Sequence, residues 1–331
     1  MKIVMTRKLL QGDQDYIAAG LRKNGVTDFE LVEPETFDEA GILNICGDAD
    51  VLLGPFVTRS ILAHAPKLRL VQVPWTGMDT FAFSEMEGSS VPVCNSHSNA
   101  QAVAEIGFAL AADLMKKLSY HDRKMRAGNW NRDQKPLDLK SKLIADQTVC
   151  IVGYGNIGSR LGNMFLAFGA KVLAVNFVEI PVPEQVTLYL SDRTAEAVAA
   201  ADLVILTVPL TEKTRNMVGA EFLAGMKPGS SLVLLSRAGI VDEAALYEAL
   251  TAGTLAGYAS DVWWRAPKRG ESEAHVSDRF RFEDLDQVVL SPHRAGFSEG
   301  TLPHLDDAIV NLTNLATGKP LINIVNIKEE Y

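Results

Sequence analysis

The sequence predicts an α/β protein of two parallel-sheet domains with a cleft between them. Three observations lead there. Short β-rich runs alternate with helical stretches in two successive series, a glycine-rich turn sits inside the second series, and the last helical pattern has no strand partner beside it.

The first series places strands at Lys2 to Met5, Phe29 to Val32, Val51 to Leu53, Leu68 to Val73 and Val91 to Cys94. Helical stretches separate them, which is the pattern of a flavodoxin-like parallel unit. The second series opens with a long helical stretch, Ala100 to Lys117. It continues through strands at Thr148 to Val152, Val172 to Val175, Leu203 to Val208, Leu232 to Leu235, Ala256 to Val262 and Val288 to Leu290. This is the Rossmann-like domain. A final helical pattern, Ser298 to Ala316, and the segment Leu321-Ile322-Asn323 are expected to return and complete the first domain. The expected boundaries are therefore 1–98 completed by 296–331 for a substrate domain, and 99–295 for the second domain. The irregular polar stretch Lys268 to Asp284 reads as a surface excursion near the cleft, long enough for a lid.

The totals narrow the function classes. With 331 residues, 47% hydrophobic and 22% charged, the chain has ample core for two domains and no bias toward disorder. A net charge of −9 argues against nucleic acid or an anionic membrane as the principal partner, so a small-molecule ligand is expected. Cys46, Cys94 and Cys150 are odd in number and show no metal-ligand spacing, which reads as buried, reduced thiols in a cytoplasm and no metal site. No apolar run reaches the length of about 18 residues that a membrane span needs, and Met1 leads into Ile3-Val4-Met5 with no export signal.

The run Val152-Gly153-Tyr154-Gly155-Asn156-Ile157-Gly158 carries the most chemistry. It follows an apolar strand and precedes an amphipathic stretch to Phe168. In such a turn Gly153 permits the bend, Gly155 lets backbone N–H groups approach a pyrophosphate, and Gly158 lets helix pack on strand. The phosphates meet a helix N-terminus, where free N–H groups and the helix dipole favour negative charge. The next strand ends at Asn176, eighteen positions past Gly158, where an NAD-binding unit usually carries Asp or Glu. Asn176 can bond a ribose hydroxyl but cannot repel a 2′-phosphate. The Arg that NADP usually recruits is missing too, since Phe177, Val178 and Glu179 follow. NAD is the expected cofactor, with NADP not excluded.

Three further segments carry a family resemblance. Ser236-Arg237-Ala238-Gly239-Ile240-Val241-Asp242, Gly257-Tyr258-Ala259-Ser260-Asp261-Val262 and Ser291-Pro292-His293-Arg294-Ala295-Gly296 are similar to signatures of the D-isomer-specific 2-hydroxyacid dehydrogenases. The likeness extends to Leu206-Thr207-Val208-Pro209-Leu210-Thr211, to Thr76-Gly77-Met78-Asp79 and to Asn99-Ala100-Gln101-Ala102-Val103-Ala104-Glu105. It implies an NAD-dependent oxidoreductase acting on a small 2-oxo/2-hydroxy acid.

The residue chemistry agrees. Reducing a 2-oxo acid needs a cation for the carboxylate and polarised carbonyl, and a proton donor for the oxygen. Arg237 can bind a carboxylate through two parallel hydrogen bonds, and His293 can donate a proton in reduction and accept one in oxidation. The resemblance further implies that backbone amides of Thr76 and Gly77 hold the substrate carboxylate. It also implies that Val208 and Pro209 contact the cofactor and that Asp261 bonds the nicotinamide carboxamide. The alternative reading of Asp261 is a strand-end cap.

One position departs from the family. Counting on from Asp261 through Val262-Trp263-Trp264-Arg265, the Glu that usually pairs with the catalytic histidine is replaced by Ala266. Without that carboxylate, His293 is expected to lose its proton earlier as pH rises, moving the reduction optimum downward. Glu271, Glu273 or His275 from the excursion are the candidates to replace it. Arg294 reads either as a second substrate-facing cation or as part of a surface ion pair. Phe56, Trp75, Met78 and Trp263 are expected to set pocket size, and His97 to line the site or cap the interdomain helix. Pro55-Phe56 and Asp261-Val262-Trp263 also resemble the formate dehydrogenase branch, which keeps open formate- or phosphite-like oxidation. An NAD(H)-responsive, corepressor-like binding protein is the alternative of another class. The resemblance implies a homodimer in which the segment Lys116 to Lys142, with Trp130, reaches a second subunit, and it implies no appended regulatory domain.

Overall fold

A computed structural model describes residues 1–130, 141–268, 271–299 and 302–331. The chain divides into two compact units, one made of Met1–Asn99 with Phe297–Tyr331 and the other of Ala100–Gly296.

Among the described residues, the first unit holds five parallel strands, β1 (Lys2–Met5), β2 (Glu30–Val32), β3 (Val51–Leu53), β4 (Leu70–Gln72) and β5 (Val93–Cys94), in the order β2-β1-β3-β4-β5. This is the flavodoxin-like order, whose connections reverse direction between β1 and β3. Strand side chains are buried on both faces: Ile3, Met5, Val51 and Leu53 enter one cluster, Val4, Leu52 and Val71 the other. That two-sided burial explains why the strands read as continuous apolar runs.

The C-terminal segment does return to this unit. The helix Asp306–Thr317 buries Ala308, Ile309, Leu312 and Leu315. Its fully buried Asn311 donates to Gln72 Oε1 (2.9 Å) and to the Ile322 carbonyl (3.0 Å), and accepts from the Ile322 N–H (2.8 Å). An antiparallel bridge pairs Cys94 with Ile324. The helix begins later than the expected Ser298, of which residues 300 and 301 lie outside the described residues. Pro303 is the cause: it forces Leu302 to φ −118°, ψ 68°, and starts a 3₁₀ turn, Pro303–Leu305, that feeds the α-helix.

The second unit is a parallel sheet of seven strands among the described residues: β6 (Thr148–Val152), β7 (Lys171–Asn176), β8 (Val186–Leu190), β9 (Leu203–Leu206), β10 (Ser231–Leu234), β11 (Gly257–Ser260) and β12 (Val288–Leu290). Their order is β12-β11-β10-β9-β6-β7-β8, the doubly wound arrangement with its reversal between β6 and β9. Cys150 and Val152 point into one core, Val149 and Ile151 into the other. The helix Ala100–Lys116 covers the second core with Val103, Ala104, Leu110, Ala111 and Met115. β8 was not expected from sequence. It is an edge strand whose run Val186-Thr187-Leu188-Tyr189-Leu190 is rich in strand-forming residues, although only Val186 is buried.

The helix Leu118–Arg126 is a separate element, divided from the preceding one by Lys117 in the left-handed region (φ 55°). It buries no residue, and Leu118, Met125 and Trp130 are 63%, 50% and 72% exposed. Residues 131–140 of the segment expected to reach a second subunit lie outside the described residues. No helix among the described residues is long and apolar enough to cross a membrane, and none of them group as metal ligands.

Candidate functional site

Strand register places the sequence-predicted residues of the second unit along one line. Val175, Val152, Leu206, Leu234, Ser260 and Leu290 are successive partners across β7, β6, β9, β10, β11 and β12. Immediately beyond that row the chain leaves the sheet at its carboxyl edge. Asn176, Gly153, Thr207-Val208-Pro209, Arg237, Asp261 and His293 therefore all emerge on the same edge. Ligands of open α/β sheets bind at this edge, where the strand order reverses.

The glycine turn fits a dinucleotide. Gly153 has φ +100°, and a Cβ there would stand 2.7 Å from the Val208 backbone nitrogen. A Cβ on Gly158 would meet the Gly153 carbonyl oxygen at 2.2 Å, so only glycine lets the helix Asn156–Ala167 start this close to the strand. Gly155 faces open space, and no side chain caps the helix that follows. The turn thus leaves a backbone-lined hollow in front of uncapped N–H groups, which is the donor set a pyrophosphate requires. Among the named turn residues, Tyr154 is 4% exposed and packs beneath Gly162, while Ile157 packs into the core. Their side chains support the turn, and what they offer a ligand is backbone.

The other end of the edge presents side chains. Arg237, in extended backbone (φ −145°, ψ 138°), is partly buried, and its Nη1 donates to the Ser236 carbonyl (2.8 Å). Asp261 is 2% exposed and organises the loop after β12: it accepts from the Ser291 hydroxyl and from the backbone N–H groups of Arg294 (2.9 Å) and Ala295 (2.9 Å). Trp263 adds a second clamp by donating its indole N–H to the Ser291 carbonyl (3.0 Å). Between these anchors His293 is exposed and left-handed, φ +56°. Ser291 and the positional meaning of Trp263 were missed from the sequence; the signal was available in the spacing Asp261-x-Trp263 and in Ser291 two residues ahead of the histidine.

Ala266 is exposed, and two of the three candidates to replace the family carboxylate are engaged elsewhere. Glu271 pairs with Arg265 (3.6 Å) and accepts from the Lys268 N–H (3.0 Å). His275 sits between Glu283 (2.6 Å) and Arg281 (2.8 Å). The excursion is stitched to the unit by Phe282, fully buried and stacked on Trp264 at 5.2 Å, and by Ser277, which donates to Glu243. Residues 269 and 270 of it lie outside the described residues. Trp263 and Trp264 belong to this aromatic packing.

In the first unit, the loop after β4 carries Trp75, Thr76, Gly77 and Met78. The Thr76 hydroxyl donates to the Ser96 carbonyl (2.7 Å) and to Asn99 Oδ1 (3.1 Å), and Asn95 donates to the Thr76 carbonyl (2.9 Å). The loop is thereby fixed while the N–H groups of Thr76 and Gly77 donate to nothing among the described residues. Met78 is buried in the core, Phe56 is 37% exposed, and the Arg7 guanidinium lies 4.8 Å from the Trp75 ring centroid. His97 donates its backbone N–H to Asp307 (2.7 Å); burial lowers its pKa, with Asp307 opposing.

These features define a nicotinamide-dinucleotide-binding α/β protein. A family model described as "D-isomer specific 2-hydroxyacid dehydrogenase, NAD binding domain" matches residues 108–295, more than half of the chain. The protein therefore belongs to the D-isomer-specific 2-hydroxyacid dehydrogenases, and its second unit is the NAD-binding domain. It is 29% identical over 322 residues to a glycerate dehydrogenase of Methylorubrum extorquens, covering 96% of this chain and 98% of the relative. It is 28% identical over 295 residues to a D-3-phosphoglycerate dehydrogenase of Methanocaldococcus jannaschii, covering 86% of this chain but 53% of that one. A solved D-lactate dehydrogenase with NAD+ from Lactobacillus jensenii superposes with a TM-score of 0.76 at 25% identity, over 98% of this chain and all of that one.

Proposed function

We propose that the protein is an NAD-dependent oxidoreductase that interconverts a small 2-oxo acid and its D-2-hydroxy acid. The observation that carries this reading is the single register row, which sends the glycine turn, Arg237 and His293 out of one sheet edge. When bound, the nicotinamide supplies or accepts the hydride. Arg237 orients the substrate through its carboxylate and draws charge onto the carbonyl oxygen. His293 donates the proton that this oxygen takes up in reduction and recovers it in oxidation. Thr76 and Gly77 offer backbone N–H groups to the substrate carboxylate. Gly153, Gly155, Asn156, Gly158, Val208, Pro209 and Asn176 line the cofactor, with Tyr154 and Ile157 contributing backbone, while Asp261, its carboxylate taken up by Ser291, Arg294 and Ala295, holds the His293 loop rather than the nicotinamide carboxamide. The exposed Leu118, Met125, Trp130 and Leu143 suit a homodimer interface, and three buried free thiols suit a reducing, cytoplasmic setting.

The test is NADH and NADPH oxidation against a panel of 2-oxo acids, glyoxylate and hydroxypyruvate among them, across pH. Saturable turnover is expected, with His293→Ala and Arg237→Ala each lowering kcat/KM by about 100-fold or more. Cofactor binding with no turnover on any acid would move the reading to a binding protein or to formate-like oxidation.

A further inference from the structure

The first unit carries an exposed cation on the same sheet edge as its Thr76–Gly77 loop. Its strand order reverses between β1 and β3, and ligands of open α/β sheets bind beyond the carboxyl ends of strands at such a reversal. Met5, Leu53, Gln72 and Cys94 are successive partners across β1, β3, β4 and β5. Thr6-Arg7, Gly54 and Val73-Pro74-Trp75 therefore all leave the sheet on that one edge.

The loop after β1 lies tightly against the end of β3. Gly54 has φ +135°, and a Cβ there would stand 2.6 Å from Thr6 Oγ1 and 3.0 Å from the Arg7 backbone nitrogen, so only glycine permits this approach. From here the Arg7 guanidinium reaches across the carboxyl end of β3 to the Trp75 ring, 4.8 Å from its centroid. Trp75 is itself anchored, its carbonyl accepting from the Ser96 N–H (3.2 Å), and Thr76 beside it is held through its hydroxyl and carbonyl. Among the described residues the Trp75 ring is the partner of Arg7, and no carboxylate or carbonyl takes up its N–H donors.

We propose that Arg7 binds a second anionic group of the substrate, at the end away from the 2-oxo carboxylate, so that the preferred substrates are dianionic 2-oxo and 2-hydroxy acids. This rests on the proposed reading of Thr76 and Gly77 as the amides that hold the first carboxylate. An aromatic ring engages a guanidinium through charge and surface, which orients the fork while leaving its donors available. A carboxylate or a phosphate then meets paired donors already in place, and both present the paired oxygens that suit them. An uncharged tail offers those donors nothing. Thr76, Gly77 and Arg7 would thus grip the two ends of one substrate from a single rigid unit.

The test is steady-state reduction by the full-length protein with NADH, on acids matched in size and differing in tail charge. The pairs are oxaloacetate against 4-methyl-2-oxopentanoate, 2-oxoglutarate against 5-methyl-2-oxohexanoate, and 3-phosphohydroxypyruvate against hydroxypyruvate. In at least one pair the dianion is expected to have the higher kcat/KM by about tenfold or more, and the pair that shows it tells carboxylate from phosphate. Arg7→Gln should lower kcat/KM for that dianion roughly ten- to hundredfold, mainly through KM, and leave its monoanionic match and NADH affinity within about twofold. Monoanions turned over as well as dianions in every pair overturn the proposal, and so does an Arg7→Gln variant that lowers both members of a pair alike. Either result leaves the 2-oxo acid reductase reading standing. Absence of turnover on every acid overturns that reading and this proposal with it.

Discussion

The carboxyl edge of the seven-stranded sheet has two halves that present different groups. The ends of β6, β7 and β9 present mainly backbone: glycines and N–H groups, with the neutral side-chain amide of Asn176. The loops after β10, β11 and β12 act through side chains, with Arg237 and His293 presented by a loop that a buried carboxylate ties down. The backbone half is fixed by steric contact, where an added methyl has nowhere to go. The side-chain half is fixed by hydrogen bonds, which can be weakened one at a time. The first should fail as a whole and the second by degrees.

Gly158→Ala should have the largest effect. Its Cβ would lie 2.2 Å from the Gly153 oxygen and 3.0 Å from Ile151 Cγ2, both in the same rigid turn. Unfolding free energy should drop by about 3 kcal/mol, with NADH affinity lost in parallel. A variant that folds and binds NADH normally would remove the steric account of this half.

Asp261→Asn comes next. The carboxylate accepts three hydrogen bonds from the Ser291–Ala295 loop, and an amide can accept them only through one oxygen. We expect kcat/KM to fall roughly ten- to hundredfold with NADH affinity nearly unchanged, the mark of a positioning residue. If NADH affinity drops as far as kcat/KM, Asp261 acts chiefly on the cofactor and the two halves are less distinct than drawn.

The smallest effect belongs to the first unit and gives a baseline for both halves. Burial lowers the pKa of His97, against the pull of Asp307, and burial lowers that of His304, against Asp13 and Asp306. The unfolded chain then takes up protons before the folded one as pH falls. Stability from this source is complete above the ordinary histidine range and is lost as pH drops through it. Melting temperature should decline from pH 7 toward pH 5, and His97→Gln should flatten that decline. An unchanged slope in the variant would place the acid sensitivity elsewhere.

The same division explains what could be read from sequence. Backbone requirements leave glycines at fixed spacing, and buried parallel strands leave apolar runs, so the turn and most strands of both sheets were legible. Arg237 and His293 could be placed at the sheet edge because they sit in recognisable segments just past apolar strands. β8 was not read, although Val186-Thr187-Leu188-Tyr189-Leu190 carries strand-forming residues; at the sheet edge only Val186 of them is buried. The late start of the C-terminal helix turned on one proline, and the loop clamp on contacts between Asp261, Trp263 and Ser291 from two strands.

His293 occupies a backbone conformation that suits glycine or asparagine better, at about 1–2 kcal/mol for an ordinary L-residue. The fold therefore carries a small standing tension at the residue proposed to transfer the proton. A glycine or asparagine there relaxes the loop and leaves the protein well folded. Selection for stability alone would drift toward such a replacement, so in this protein a rise in melting temperature is no assurance of a working enzyme.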